Sequence, residues 1–402
     1  MRLSRIFSRN FAVIVFVFAF TLNLFGADKA KVPPPWGGPH ILITNDDSPT
    51  ANTATIYQIR SKGTLRQKTV IQTGGTGTGG GSYATARVGV LHGNHQCVYV
   101  SDGGTSDIAA ISLRTFTVTG NFKGSKTDNG NLNGIGLAQS GRYIYASFTG
   151  SNTIGTFKTR PGCKLSFVGD IPTQGLNGGG VDGMAANGNI LVVAYADGSV
   201  QSFNISKGQP KSNGDAQLST GYNNGAGAPA GVDISKDGHY ALFGDATLNA
   251  STVEVSDISS GQLTTTVPYT FGVGINSNNI LLSPDDTLLY ISDNSSGEVT
   301  AAFFDPKTGV LDSPCTSSVL NGFNNTWFTT GALASQLNTG LGGVLYVAEA
   351  GQPSSIGIVI PQKGTPGRAD HSCTVTELKS SPAKDANSFA LESIGVCPPR
   401  SF

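Results

Sequence analysis

The clearest alternation of apolar and polar positions lies in residues 278–319, where four short apolar runs are separated by three polar turns. The run 287–292 is apolar on both of its alternating faces, Leu288 and Tyr290 on one and Leu289 and Ile291 on the other, which predicts a strand buried on both sides. Runs at 278–282, 299–304 and 310–319 predict three more strands, the last more polar and therefore outermost. Between them stand Ser283, Pro284, Asp285 and Asp286, then 294–297, then 305–309. Pro fixes φ in such turns, and Asp and Asn side chains bond local backbone.

One such sheet cannot bury both faces alone, so a recurrence is required, and one is present. Aligned on the second strand, the copies read LITN at 42–45, YVSD at 99–102, YASF at 145–148, VAYA at 193–196, LFGD at 242–245, YISD at 290–293 and YVAE at 346–349. They lie roughly 46 to 57 residues apart, the spacing of four-stranded propeller blades. The preceding turn recurs at 139–142 and 235–238. The first copy begins at its second strand, while 389–396 resembles the first-strand segments 88–91 and 134–137. The expected fold is therefore all-β, a seven-bladed β-propeller of four-stranded blades, its ring closed by a C-terminal strand that completes blade one.

The SPDD turn at 283–286, the YISD and YVSD strands and the DPKTG turn at 305–309 resemble those of YVTN-repeat and seven-bladed lactonase-like propellers, over nearly all of the chain after residue 40. The resemblance implies the fold; its motifs build blades and say little about chemistry.

Composition agrees with a turn-rich β protein. Of 402 residues 54 are Gly and only 13% are charged, and a formal net charge of zero gives no reason to expect nucleic acid or an anionic membrane as partner. Arg2, Arg5 and Arg9 precede an unbroken apolar run at 11–20, which reads as a secretory signal peptide over 1–26. A Pro-rich leader follows at 27–39, and the propeller occupies 40–399. Export to the periplasm or the extracellular space is expected, with no membrane association after signal cleavage and a monomeric chain.

Export permits disulfides among Cys97, Cys163, Cys315, Cys373 and Cys397. Cys97 and Cys397 both sit between first and second strands of blades that closure makes neighbours, so their pairing is the expectation. The formal G-x-G-x-x-G at 75–80 runs into a predicted strand and not a helix, which makes it a flexible connection between blades and not a nucleotide loop. Asp46, Asp102, Asp197, Asp245, Asp293 and Glu349 follow the second strands and read as turn caps ahead of a cation site. No metal and no cofactor are expected.

Ligands of propellers bind over the channel, on the loops that lead into the first strands. There the chain offers Arg87, Asp182, Tyr222, Asp233, Trp327 and Glu392, a set of aromatic faces and few charges suited to a small neutral ligand, a glycan or a protein. Lactone chemistry needs an acid or base and cationic donors at that mouth, but the five His fall elsewhere and no G-x-S-x-G elbow occurs, so no catalytic residue is assigned. The reading is an exported binding or interaction module. Its alternative is a lactonase-like, 6-phosphogluconolactonase-like hydrolase, for which Arg87 and Glu392 form the one pair to test.

Overall fold

The structure is a computed structural model that describes residues 41–60, 64–79, 88–90, 97–130, 134–220, 229–245, 251–271, 277–283, 285–293, 297–314, 318–319, 333–336, 344–349, 355–362, 374–382 and 393–397. The chain divides into two units, Met1–Pro39 and His40–Phe402. The first, which carries the expected signal peptide and leader, lies outside the described residues.

The described residues of the second unit form seven separate antiparallel sheets of four or five strands, numbered 1 to 7 along the chain by their second strands Ile41–Asn45, Cys97–Asp102, Tyr143–Phe148, Ile190–Tyr195, Tyr240–Asp245, Leu288–Asp293 and Val344–Glu349, and their only helical turn is Pro161–Cys163. Sheet 3 illustrates the plan: Ile135–Ser140, Tyr143–Phe148, Thr153–Arg160 and Lys164–Pro172 pair in succession. Residues 278–319 give sheet 6, with Ser277–Leu282, Leu288–Asp293, Glu298–Asp305 and Val310–Pro314; a short fifth strand, Ser318–Val319, also pairs with the third. In sheet 1 the C-terminal strand Ser393–Cys397 pairs antiparallel with Ile41–Asn45, Ile41 opposite Cys397 and Asn45 opposite Ser393. Residues 389–392 of that expected segment lie outside the described residues.

The two-faced apolar pattern explains where the core lies. Leu288 and Tyr290 pack with Leu345 and Val347 of sheet 7, whereas Leu289 and Ile291 pack with Leu242 of sheet 5. The same division recurs: Ile144 and Ala146 share a core with Tyr99 of sheet 2, and Tyr145 shares one with Val193 and Tyr195 of sheet 4. The interior is thus a succession of slabs between sheets. Each large side chain buried there contributes about 1.5–3 kcal/mol.

Hydrogen bonds tie the first hairpin turns of successive sheets. Ser140 Oγ donates to the Gly188 carbonyl at 2.6 Å, Asn187 Nδ2 to the Ser235 carbonyl at 2.7 Å, and the Lys236 N–H to Asp286 Oδ2 at 2.5 Å. Within the turns, the buried hydroxyls of Ser235 and Ser283 each accept the N–H five residues on, from Tyr240 and Leu288, both at 2.9 Å.

Two glycines show why the composition is so rich in them. Gly309 has φ +71° in the third turn of sheet 6, and a Cβ there would stand 2.4 Å from the Tyr240 ring of sheet 5. At Gly77 a Cβ would lie 2.2 Å from the Asp47 backbone. Residues 74–79 of the glycine-rich connection are therefore packed and not the flexible tether their composition suggests. Asp47 accepts bonds from the Thr78 N–H at 2.9 Å, the Thr78 hydroxyl at 2.6 Å and the Gly79 N–H at 3.1 Å.

The expected Cys97–Cys397 bridge is corrected by the structure: Cys97 is bonded to Cys163, with Cα atoms 5.3 Å apart. The turn Pro161–Cys163 of sheet 3 reaches back over the start of the second strand of sheet 2, where Thr119 Oγ1 also donates to the Cys163 carbonyl at 3.4 Å. Cys315 and Cys373 lie outside the described residues. Replacing Cys97 and Cys163 together by Ser should lower the unfolding free energy by about 2–5 kcal/mol. Peptide mapping without reductant should recover the 97–163 pair; a 97–397 peptide instead would refute the assignment.

Candidate functional site

First strands carry a device that the sequence pattern hides. In sheets 4, 5 and 6 the register slips at the start of the first strand, between Val181 and Gly183, Pro229 and Gly231, and Ser277 and Asn279. The bulged residues are Asp182, Ala230 and Asn278. A bulge leaves one residue unpaired and turns its side chain out of the regular alternation. Only Asp182 is ionisable among the three. It is 2% exposed, its Oδ1 has no hydrogen-bond partner, and burial pushes its carboxyl well above the usual carboxylate range. Burial of that kind favours the protonated form, which can donate a proton or a hydrogen bond.

Asp233 plays another part. It stands three residues beyond its sheet's bulge, about 10 Å further along the strand at ~3.3 Å per residue. Its Oδ2 accepts the Leu282 N–H of sheet 6 at 2.7 Å and its Oδ1 the Ile234 N–H at 2.8 Å, so it ties neighbouring first strands. Asp182 and Asp233 are therefore held at different levels. Arg87, Tyr222, Trp327 and Glu392 lie outside the described residues. In sequence Arg87 immediately precedes Val88–Val90 and Glu392 immediately precedes Ser393–Cys397, two strands that touch.

The described loops leading into first strands are held by local bonds. Asp128 accepts the Ser125 N–H at 2.6 Å and the Thr153 hydroxyl at 2.7 Å, and burial raises its carboxyl pKa. Asp197 accepts the Asn177 N–H at 2.7 Å and the Gly179 N–H at 3.1 Å. Burial opposes its ionisation, but these bonds and those from Ser199 prevail and its pKa is lowered.

Of the acids that follow the second strands, Asp197 is a turn cap, while Asp102 and Asp245 are not. Asp102 is fully buried between sheets and accepts Asn52 Nδ2 and Thr73 Oγ1, each at 2.7 Å, from the connection around sheet 1. Burial drives its pKa up to about 7; the bonds from Asn52 and Thr73 restrain the rise, and the Asp107 carboxylate adds to it. Asn121 Nδ2 bridges the two acids, at 3.3 Å from Asp102 and 3.0 Å from Asp107. Asp245 likewise rises to about 7, through burial first and the adjacent Glu254 second. Their positions were legible in the repeat; their burial was not, because it depends on which neighbouring sheet covers them. His239 is on a first hairpin turn, its Nδ1 3.1 Å from Asp237 Oδ2, far along the strand from the loops considered above.

No family model matches the chain, and no curated protein is similar to it in sequence. Solved structures are similar in fold. A functionally unknown protein of Desulfotomaculum acetoxidans superposes with a TM-score of 0.63 at 14% identity, covering 90% of this chain and 100% of that one. The periplasmic gluconolactonase PpgL of Pseudomonas aeruginosa gives 0.56 at 16% identity, covering 70% and 82%. A protein of Bacteroides fragilis provisionally named a 6-phosphogluconolactonase gives 0.54 at 16%, covering 68% and 82%. At these identities the likeness is one of fold: an all-β chain of four-stranded sheets of the kind that make propeller blades, shared with lactonase-like proteins.

The two elevated carboxyls fix a pH dependence. Both have folded pKa values of about 7, above the ordinary carboxyl value of 3.8, so between those limits the folded protein holds more protons than the unfolded chain and stability falls as pH rises. Each group should contribute a loss on the order of 1 kcal/mol per pH unit across that window, levelling off above about pH 7. Thermal unfolding followed from pH 5 to 8 should show the decline, and Asp102→Asn and Asp245→Asn should each flatten it. A profile that rises over this range would contradict the burial of these acids.

Proposed function

We propose that the chain is an exported seven-bladed propeller that opens a sugar-acid lactone at its loop face, with Asp182 as the proton donor. The observation that carries the reading is the Asp182 carboxyl, buried and with one oxygen unpartnered, at a bulge where a first strand begins. The shared fold with a periplasmic gluconolactonase supports it. Ring closure is supported by the pairing of Ser393–Cys397 with Ile41–Asn45 and by first strands that touch in succession, including Ser393–Cys397 with Val88–Val90. Export is supported by the apolar run after Arg9 and by the Cys97–Cys163 disulfide. In this reading the signal peptide is 1–26, the leader 27–39 and the propeller 40–399, acting as a monomer.

The chemistry needs no co-reactant beyond water. Water oxygen bonds to the lactone carbonyl carbon, the acyl–oxygen bond of the ring breaks, and the ring oxygen leaves as a hydroxyl. The Asp182 carboxyl supplies that proton and recovers one from the attacking water. Arg87 is assigned to the developing oxyanion and Glu392 to the water. Because Asp182 acts in its protonated form, turnover declines as pH rises through its elevated pKa.

A second reading, a binding module for a small neutral ligand, glycan or protein, is favoured by one observation: Asp128 and Asp197 are engaged by backbone amides and hydroxyls of their own loops. Assay of the mature chain against a panel of aldonolactones separates the two. Ring opening is expected, reduced about 100-fold or more in Asp182→Asn with the melting temperature retained, since Asn mimics the neutral acid. Turnover unaffected by Asp182→Asn would remove that residue from the chemistry. Stabilisation by lactones or sugars without turnover would replace the hydrolase with the binding module.

A further inference from the structure

The Cys97–Cys163 disulfide forms part of the wall of a cleft of about 700 Å³ between sheets 2 and 3. It opens among the first and third hairpin turns, at the opposite end of the strands from the loop that leads to Asp182. Arg114, Arg142 and Arg160 line it, each on a different turn: Arg114 after the third strand of sheet 2, Arg142 between the first and second strands of sheet 3, and Arg160 at the end of the third. No Asp or Glu is among the lining residues.

This concentration stands out against a charge-poor chain. The described residues contain five arginines, at 60, 66, 114, 142 and 160, and three of them share this cleft. None of the three is in an ion pair among the described residues. Arg160 Nε is steadied by Ser166 Oγ at 2.9 Å, which leaves its terminal nitrogens available. The wall itself is fastened: the Thr159 N–H and hydroxyl both donate to the Arg142 carbonyl, at 2.9 and 3.1 Å, and the disulfide joins the two sheets. Like charges gathered without a counterion repel one another, whereas guanidinium forks match the paired oxygens of carboxylate, phosphate and sulfate. A volume of about 700 Å³ falls within the roughly 300–1,000 Å³ of small-molecule sites.

We propose that this cleft is a binding site for a small polyanion bearing two or more oxyanion groups, read by Arg114, Arg142 and Arg160. It is separate from the loop face and does not depend on the lactone reading. The test is calorimetric titration of the full mature chain at low salt with citrate, inorganic pyrophosphate and sucrose octasulfate, which represent carboxylate, phosphate and sulfate sources, with acetate as the singly charged control. At least one of the three should bind with a stoichiometry of one and at least about ten times more tightly than acetate. Arg114→Gln, Arg142→Gln and Arg160→Gln should each weaken it by about tenfold or more, the loss expected of about 1.4 kcal/mol or more. Arg66→Gln, an exposed arginine on sheet 1, should leave binding unchanged, and so should Asp182→Asn. These arginines are exposed, so the variants should retain the parent melting temperature. Absence of binding by all three probes, or equal weakening by Arg66→Gln, would overturn the site.

Discussion

The structure depends on one constraint: a second strand that is apolar on both faces can be dry only when another sheet covers each side. Tyr99, Tyr145 and Tyr290 are buried for this reason, each within a slab shared by two sheets. Among the described residues every core cluster spans two sheets. Stability is consequently distributed over the interfaces, and what happens at an interface matters more than what happens inside a sheet. Gly309 against Tyr240 and Gly77 against the Asp47 backbone let neighbouring sheets approach closely, while Asn187, Ser140 and Asp286 hook adjacent turns together.

Polar groups trapped at those interfaces have to be satisfied or neutralised. Asp102 is satisfied from another sheet's connection by Asn52 and Thr73, and still titrates far above an ordinary carboxyl because burial outweighs those bonds, with Asp107 beside it adding to the rise. Asp182 finds no partner for one oxygen, and burial favours its protonated form. The same physics gives the two acids different significance. Asp102 is enclosed by bonds that join sheets, whereas Asp182 sits on a bulge at the beginning of a first strand, outside any such network.

The two ends of the strands differ in chemistry. Described loops that lead into first strands keep Asp128 and Asp197 occupied with backbone amides. At the other end, three arginines without carboxylate partners gather beside a disulfide. A chain of zero formal net charge thus separates its chemistry by position.

Strands, turns and their repetition are written locally, in alternation and turn chemistry: sheet 6 follows the first three runs read in 278–319 to within a residue, while the fourth, read as one strand over 310–319, is split into Val310–Pro314 and Ser318–Val319, and Ser283 and Asp286 serve the turn their types suggested. It also located the strand pairing of Ile41–Asn45 near the C-terminus, since an incomplete first copy and a spare first-strand pattern can be matched by eye. Which cysteine meets Cys97, the packing of residues 74–79 and which acids are buried were settled between sheets. Those outcomes turn on how one sheet's outer turn overlaps the next sheet's second strand. That overlap is set by twist and stagger between sheets, and no periodicity along the chain records it.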